Sequence, residues 1–342
     1  MLVLGIETSC DDTAAAVVED GGIVRSSVVS SQDSIHGRYG GIVPELASRR
    51  HIEAIIPVVE EALTAAGAGL KDIDGIAVTQ GPGLVGSILV GLTFAKAVSL
   101  VTGIPFTGVN HIAAHPIAAF LKDTGNDAPS PCFPFVSLIA SGGHTALLLI
   151  KDFNVYEVLG QTRDDAAGEA FDKVAKLLGL GYPGGTVIDA LSKTGDPKSF
   201  PFTRPYIAKG SLDFSFSGIK TAAMNHVKTG VEKDDLNGFA ASFQEAVVDV
   251  LVTKALWAVD ASGAKDLVVA GGVACNSRLR ERLIDAVDGA HIRLFIPHPR
   301  YCSDNAAMIA ALGYAQLKKG SYGNLTMNAV PSATFRRGVF CE

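Results

Sequence analysis

The chain has 342 residues, of which 48% are hydrophobic and 19% charged, with 37 glycines and a formal net charge of −6. That length suffices for two packed lobes or one large α/β unit, and the composition excludes a disordered chain. The acidic balance argues against a protein that grips nucleic acid unaided, and five widely spaced cysteines form no disulfide framework and suit a reducing cytoplasm.

The N-terminus, MLVLGIETSCDD, runs from a short apolar stretch into acids with no basic segment, so it does not read as a signal peptide. Residues 2–7 are expected as a strand, 8–12 as a polar turn, 13–18 as the return strand and 23–29 as a third strand after Gly21-Gly22. A helix is expected over 44–66, where Leu46, Ile52, Ile55, Ile56 and Val59 recur near helical spacing and Pro57 should bend or restart it. A buried strand follows at 75–80. Gly81-Pro82-Gly83 then leads into an apolar helix over 87–101 and a short strand at 105–109. The stretch 84–95 is too short to span a bilayer and reads as buried core, so no membrane association is expected.

The second half repeats this plan, with strands at 135–140 and 145–150 around the turn 141–144. Such self-similarity suggests two lobes built alike. A buried strand at 266–270 leads into Gly271-Gly272-Val273-Ala274-Cys275-Asn276 and a helix from Ser277. The last helix, 305–318, starts behind Ser303 and Asp304, either of which suits a cap. Strands alternating with helices, with a hairpin opening each half, predict α/β lobes with mixed sheets rather than a strictly parallel sheet.

Three polar or glycine-rich turns, at 8–12, 141–144 and 271–276, follow buried strands. There backbone N–H groups can cradle phosphate or carboxylate oxygens, although each alone also reads as an ordinary turn. Neither the P-loop nor the dinucleotide pattern is present. His111-Ile112-Ala113-Ala114-His115 puts two imidazoles one helical turn apart, at metal-chelating spacing, although Pro116 disfavours helical geometry at His115. Asp304, in Cys302-Ser303-Asp304-Asn305, offers a third ligand, and two histidines with a carboxylate suit iron(II) or zinc. A zinc protease would carry a glutamate after the first histidine; Ile112 stands there and cannot accept a proton. Glu7, Asp11 and Asp12 suit turn capping and function equally, and Cys10 beside them reads as a small packed side chain. Periodicity does not decide whether 213–221, DFSFSGIKT, is a strand end or a substrate loop. Arg278, Arg280 and Arg282 along one helix, with the pairs Arg49-Arg50, Lys318-Lys319 and Arg336-Arg337, read mostly as solvated faces.

Taken together, GIETSCDDT (5–13), GPGLVGSILVG (81–91), NHIAAH (110–115), ASGGHT (140–145), DDAAGEAFDKVAKLLGLGYPGG (164–185), FSFSGIKT (214–221), VAGGVACN (269–276) and CSDNAAMIA (302–310) resemble the bacterial tRNA N6-adenosine threonylcarbamoyltransferase family, TsaD, over nearly the whole chain. The resemblance implies an actin-like ATPase, sugar-kinase-like fold with mixed sheets. Its two lobes, 1–108 with about 305–335 and 109–304, would flank a cleft holding an adenine nucleotide. It implies transfer of a threonylcarbamoyl group from threonylcarbamoyl-adenylate to N6 of adenosine 37 in tRNAs reading codons that begin with A. One divalent metal, Fe(2+) in preference to Zn(2+), would be held by His111, His115 and Asp304. Substrate contacts would fall on Ile139, Ala140, Ser141, Gly142, Gly143, Asp172, Gly185, Asp189 and Asn276. Asp11 or Asp12 is the candidate to take the proton from the acceptor amine. The implied partners are tRNA, a paralogous subunit lacking the metal motif and a small P-loop ATPase. The chain departs from the family pattern at Ala113-Ala114 and at Ala140, and neither change removes a ligand. The rival readings are a sugar kinase or ATPase of the same fold, which needs no histidine pair, and a non-catalytic scaffold subunit, which lacks the metal trio.

Overall fold

The computed structural model describes residues 1–125, 128–206, 210–230, 235–332 and, by backbone, 339–341; the pair Arg336-Arg337 lies outside the described residues. The described residues fall into two compact units, one of 1–130 with those of 300–335, the other of 131–299 with 339–341. The expected divisions at 108 and 305 therefore fall inside the first unit, because the strand ending at Asn110 and the segment after it pack with the last helix.

The first unit is a six-stranded mixed sheet in the order β5-β4-β1-β2-β3-β6. Its strands are β1 (Leu2–Glu7), β2 (Thr13–Glu19), β3 (Ile23–Ser30), β4 (Gly75–Gly81), β5 (Phe106–Asn110) and β6 (Lys122–Asp123). β1, β2 and β3 form an antiparallel meander, whereas β4 and β5 run parallel to β1. The helices are α1 (Asp33–His36), α2 (Pro44–Ala66), α3 (Val85–Thr102), α4 (His111–Ala114), α10 (Pro299–Cys302) and α11 (Ala306–Lys318).

Side chains alternate along a strand, and β1 uses both faces. Leu4 and Ile6 are fully buried in a core with Ile55, Val58 and Val59 of α2 and Leu92 and Ala95 of α3. Truncating one of these large side chains to alanine would cost about 2–5 kcal/mol. Gly5 and Glu7 point the other way, beneath α11. A Cβ on Gly5 would stand 2.1 Å from the Ala306 carbonyl oxygen, so only glycine lets this helix cross the strand. The alternation thus delivers the Glu7 carboxylate to the α11 side at the carboxyl end of β1.

Pro57 neither bends α2 into two elements nor restarts it; one helix runs from Pro44 to Ala66. Pro57 and Glu53 are both exposed, so the carbonyl that loses its partner faces water. Helix α3 runs two residues earlier and one later than expected, and is long and apolar enough to cross a membrane by length and composition. It is not wholly core. Ser87, Ile88, Gly91, Leu92 and Ala95 are buried, while Val85, Leu89, Leu100 and Val101 are exposed.

The second unit repeats the plan in the order β11-β10-β7-β8-β9-β12. Its strands are β7 (Phe135–Ala140), β8 (Thr145–Asp152), β9 (Val155–Gln161), β10 (Asp266–Ala270), β11 (Arg293–Phe295) and β12 (Val339–Cys341). β7, β8 and β9 form the antiparallel meander, with β10 and β11 parallel to β7. The helices are α5 (Ala167–Leu177), α6 (Gly184–Ser192), α7 (Ser217–Thr229), α8 (Leu236–Ser262) and α9 (Ser277–Val287). α8 is the core helix, with Phe239, Phe243, Val247, Val250 and Leu251 fully buried. It also holds Glu245, which receives Arg278 at 2.6 Å and Arg282 from α9, while Arg282 reaches Asp249 at 2.7 Å. These arginines join two helices rather than merely covering a solvated face.

Candidate active site

β5 ends at Asn110, whose side-chain oxygen accepts hydrogen bonds from the N–H groups of Ile112 at 3.0 Å and Ala113 at 3.1 Å. This cap starts α4 at His111. Despite Pro116, His115 keeps right-handed helical dihedrals (φ −51°, ψ −48°), and the chain tightens into a 3₁₀ helix over His115–Phe120. The two imidazoles accordingly stay on one side, with ring centroids 4.8 Å apart and planes at 82°. Ala113 and Ala114 are buried small residues in this turn.

Asp304 meets them from the other end of the chain. Neither it nor Ser303 caps α11; Asn305 does, accepting from the Met308 N–H at 3.0 Å. With the cap supplied by its neighbour, the Asp304 carboxylate stands 3.5 Å from Nε2 of both His111 and His115. One ligand atom from each residue lies within 4.8 Å of the others. His111 Nδ1 is 2.8 Å from Glu7 Oε2 and 3.2 Å from Ser9 Oγ. Glu7 also accepts from the Thr79 hydroxyl at 2.7 Å and from the Ser9 N–H. A carboxylate behind Nδ1 leaves Nε2 facing the cluster, the usual support for a metal-binding histidine.

The ring nitrogens of His115 make no hydrogen bond among the described residues, and its side chain is 1% exposed. With only the Asp304 carboxylate at 3.5 Å from Nε2, this buried imidazole is poorly satisfied and fits a cation that the cluster would share. Burial pulls its pKa down, leaving the neutral ring a ligand needs. Burial acts on His111 in the same sense, but the Glu7 and Asp304 carboxylates outweigh it and hold that ring well above its usual value. Asp304 is pushed up by burial, yet the two histidines keep it well below the ordinary carboxylate range. A cation of higher charge would replace the protons on this buried cluster.

Asp11 and Asp12 lie in the same unit, close enough to Asp304 to feel its charge. Burial raises Asp11, and burial with the neighbouring Asp11 charge raises Asp12 to about 7. The Cys10 thiol is pushed well above its usual value by burial and by Asp11, as befits a packed, unreactive side chain.

The residues expected to touch substrate lie in the second unit and form a connected group. Ile139 and Ala140 end β7, and the pairing of Ile139 with Ala270 brings the turn after β10 beside the turn 141–144. A Cβ on Gly271 would stand 2.3 Å from the Ala140 carbonyl oxygen, which is why these turns can abut. Gly142 and Gly143 are exposed with open space where a Cβ would lie, so a ligand can approach their backbone. The Ser141 carbonyl accepts from Gly168 N–H at the start of α5, and Asp172 on α5 accepts from Gly184 N–H at 2.8 Å, next to Gly185 at the start of α6. Asp189 on α6 accepts from the N–H and hydroxyl of Ser277, and Asn276 caps α9 while donating to Gln244 at 2.6 Å. The stretch 213–221 is bound by Asp164, which accepts from Ser217 Oγ at 2.8 Å, from Phe216 N–H at 2.8 Å and from Ser215 Oγ.

Residues 23–311 match the family described as TsaD, tRNA N6-adenosine threonylcarbamoyltransferase. A protein of that name from Geotalea uraniireducens is 53% identical over 334 residues, covering 97% of this chain and 96% of its own length. The chain belongs to the TsaD family. It is therefore a transferase of tRNA modification, and not a sugar kinase or a metal-lacking scaffold relative. Two solved structures share the fold of this TsaD-family chain. Component A of the (R)-2-hydroxyglutaryl-CoA dehydratase of Acidaminococcus fermentans has a TM-score of 0.53 at 15% identity, covering 93% of this chain and 99% of its own. A ROK family glucokinase from Streptomyces griseus, in complex with glucose and AMPPNP, has a TM-score of 0.50 at 12% identity, covering 92% and 100%. The fold is the expected actin-like, sugar-kinase-like one.

Sequence reasoning about this TsaD-family member left three contributors without a role. Glu7 was left open between turn capping and function, although its place at the end of an alternating strand marks it as inward-facing. Asn110 precedes the first histidine and carries a cap signal that was available. Gln244 lies in the middle of an apolar helix, where no local pattern distinguishes it.

Proposed function

We propose that this chain transfers the threonylcarbamoyl group of threonylcarbamoyl-adenylate to N6 of adenosine 37 in tRNAs reading codons that begin with A, releasing AMP. The observation that carries the metal-dependent part is the convergence of His111, His115 and Asp304 ligand atoms within 4.8 Å. Two imidazoles and one carboxylate suit iron(II) or zinc, and we take the ion to be Fe(2+) in preference to Zn(2+). A divalent ion bound there would supply Lewis-acid polarisation of the threonylcarbamoyl group.

The other contributions come from the chain itself. The exposed backbone at Gly142 and Gly143 would receive the adenylate phosphate, Ile139, Ala140 and Ser141 would line its approach, and Asp172, Gly185, Asp189 and Asn276 would fix the nucleoside. The N6 amine attacks the carbamoyl carbon, the bond from that carbon to the phosphate oxygen breaks, and AMP departs with the electron pair. The amine must lose a proton, and we assign that proton to Asp12, with Asp11 beside it; a carboxylate raised to about 7 suits that task near neutral pH. An exocyclic amine is a weak nucleophile, so alignment of the two substrates supplies much of the rate.

The partners we propose are tRNA, a paralogous subunit without the metal residues and a small P-loop ATPase, in the cytoplasm and without a membrane. Two features support partner subunits. The net charge is −6 and the arginines of α9 at 278 and 282 are engaged by acids, leaving little basic surface there for unaided tRNA binding. Ile52 and Ile56 on α2 and Val85 and Leu89 on α3, two helices that pack together, are exposed large apolar side chains of the kind that dock a subunit. Incubating the purified chain and partners with tRNA and the adenylate, then digesting the tRNA for nucleoside mass spectrometry, tests the reaction. The expected product is threonylcarbamoyladenosine with equimolar AMP; AMP without modified nucleoside would refute it.

A further inference from the structure

Behind the turn at 10–12 stands His51, a fully buried side chain of α2 that belongs to neither the metal cluster nor the proton-accepting pair. Its Nε2 lies 3.0 Å from the Cys10 carbonyl oxygen and its Nδ1 lies 2.8 Å from Thr13 Oγ1. A carbonyl oxygen only accepts, so Nε2 carries the proton. Burial lowers the imidazole pKa, so the ring is neutral and Nδ1 accepts from the Thr13 hydroxyl. Thr13 thereby selects the tautomer that donates to Cys10. The two contacts fall immediately before and immediately after Asp11 and Asp12.

The preceding residues are anchored separately. Thr8 Oγ1 donates to the Ser87 carbonyl at 2.9 Å, and Leu84 N–H donates to the Ser9 carbonyl at 2.7 Å. Helix α3 thus helps hold 8–9. At the other end Thr13 pairs with Ser30 in the sheet and the Asp12 carboxyl meets Ser31, while the His51 ring of α2 ties Cys10 to Thr13 across the two aspartates.

We propose that His51 is a positioning residue for the transfer, holding Asp11 and Asp12 in the orientation the reaction uses through the Cys10 carbonyl and the Thr13 hydroxyl. This rests on the reading of those carboxylates as the proton acceptor. The role is distinct from bulk stability, because an amide side chain can keep one contact at a time. In His51→Gln the amide N–H reaches the place of Nε2 and retains the bond to Cys10. In His51→Asn the amide oxygen takes the place of Nδ1 and retains only Thr13.

The test is steady-state transfer by the full-length, metal-loaded chain with its partners, with metal content and thermal midpoint measured on the same samples. His51→Asn should lose about 10–100-fold in kcat with KM for tRNA and metal content unchanged, while His51→Gln stays within about fivefold of wild type. Wild-type kcat in His51→Asn overturns the proposal, as does an equal loss in both variants. Should His51→Asn fail to fold, Thr13→Val removes the hydroxyl that sets the tautomer and should lower kcat by about tenfold; an unchanged kcat there overturns the proposal too. Wild-type rates in both Asp11→Asn and Asp12→Asn would remove the proton-acceptor reading. A slow Asp12→Asn beside a fully active His51→Asn would remove only the positioning role.

Discussion

Glu7 backs the candidate metal cluster without being one of its proposed ligands. Its carboxylate is buried and takes bonds from His111, Thr79 and Ser9 at once. Burial pushes its pKa up, but His111 holds it below the usual value, so it stays ionised behind the ring. Glu7→Gln keeps the shape and removes that charge. Its metal affinity should fall about 10–100-fold in an equilibrium competition with a chelator, with the fold intact by circular dichroism. Asp12 gives a pH signature in the metal-free protein. Its folded-state pKa of about 7 exceeds the unfolded carboxylate value, so between about pH 4 and pH 7 the folded chain holds a proton that the unfolded chain has released. Stability from this group therefore falls as pH rises through that window. Asp12→Asn should make the metal-free protein more stable at pH 8 by about 1–2 kcal/mol, and no more stable at pH 4, in urea titrations.

Among the elements, the turn from β5 into α4 carries two ligands and begins at a single cap. Asn110→Ala should cost about 1 kcal/mol in denaturant unfolding and weaken metal binding as His111 loses its fixed start. The spacing of the histidines was legible from the sequence, and the structure retains it because His115 tolerates helical dihedrals ahead of Pro116 when the next turn tightens. The expected cap, Ser303 or Asp304, was off by one or two residues: Asn305, read as the first helical residue, is the cap, and all three side chain types serve at that position. The three strands of the first meander and the first two of the second were readable as apolar runs bounded by turns; β9, where buried and half-buried residues alternate from Val155 to Gln161, was not. The continuity of α2 through Pro57 was not, because it depends on which face meets water. Nor were the α8 partners of Arg278 and Arg282, Glu245 and Asp249, which lie more than thirty residues away.

At the scale of the molecule, one sheet plan occurs twice, and the first unit is completed by the chain's far end. Gly5→Ala tests that closure. A methyl group 2.1 Å from the Ala306 carbonyl forces α11 off the strand, so the variant should lose about 1–3 kcal/mol and bind metal less tightly as Asp304 moves. The exposed apolar residues of α2 and α3 are the surface proposed above for docking a subunit. Ile56→Asp should leave the thermal midpoint nearly unchanged and weaken association with the paralogous subunit by about 2 kcal/mol or more in titration calorimetry.

Dependence of transfer on the ion at His111, His115 and Asp304 is tested most directly by stripping the full chain of metal and reloading it stepwise with Fe(2+) or Zn(2+), measuring modified nucleoside at each occupancy. Transfer should rise in proportion to bound metal and saturate at one ion per chain, while His115→Ala neither binds the ion tightly nor transfers. Full transfer by the stripped protein would contradict it.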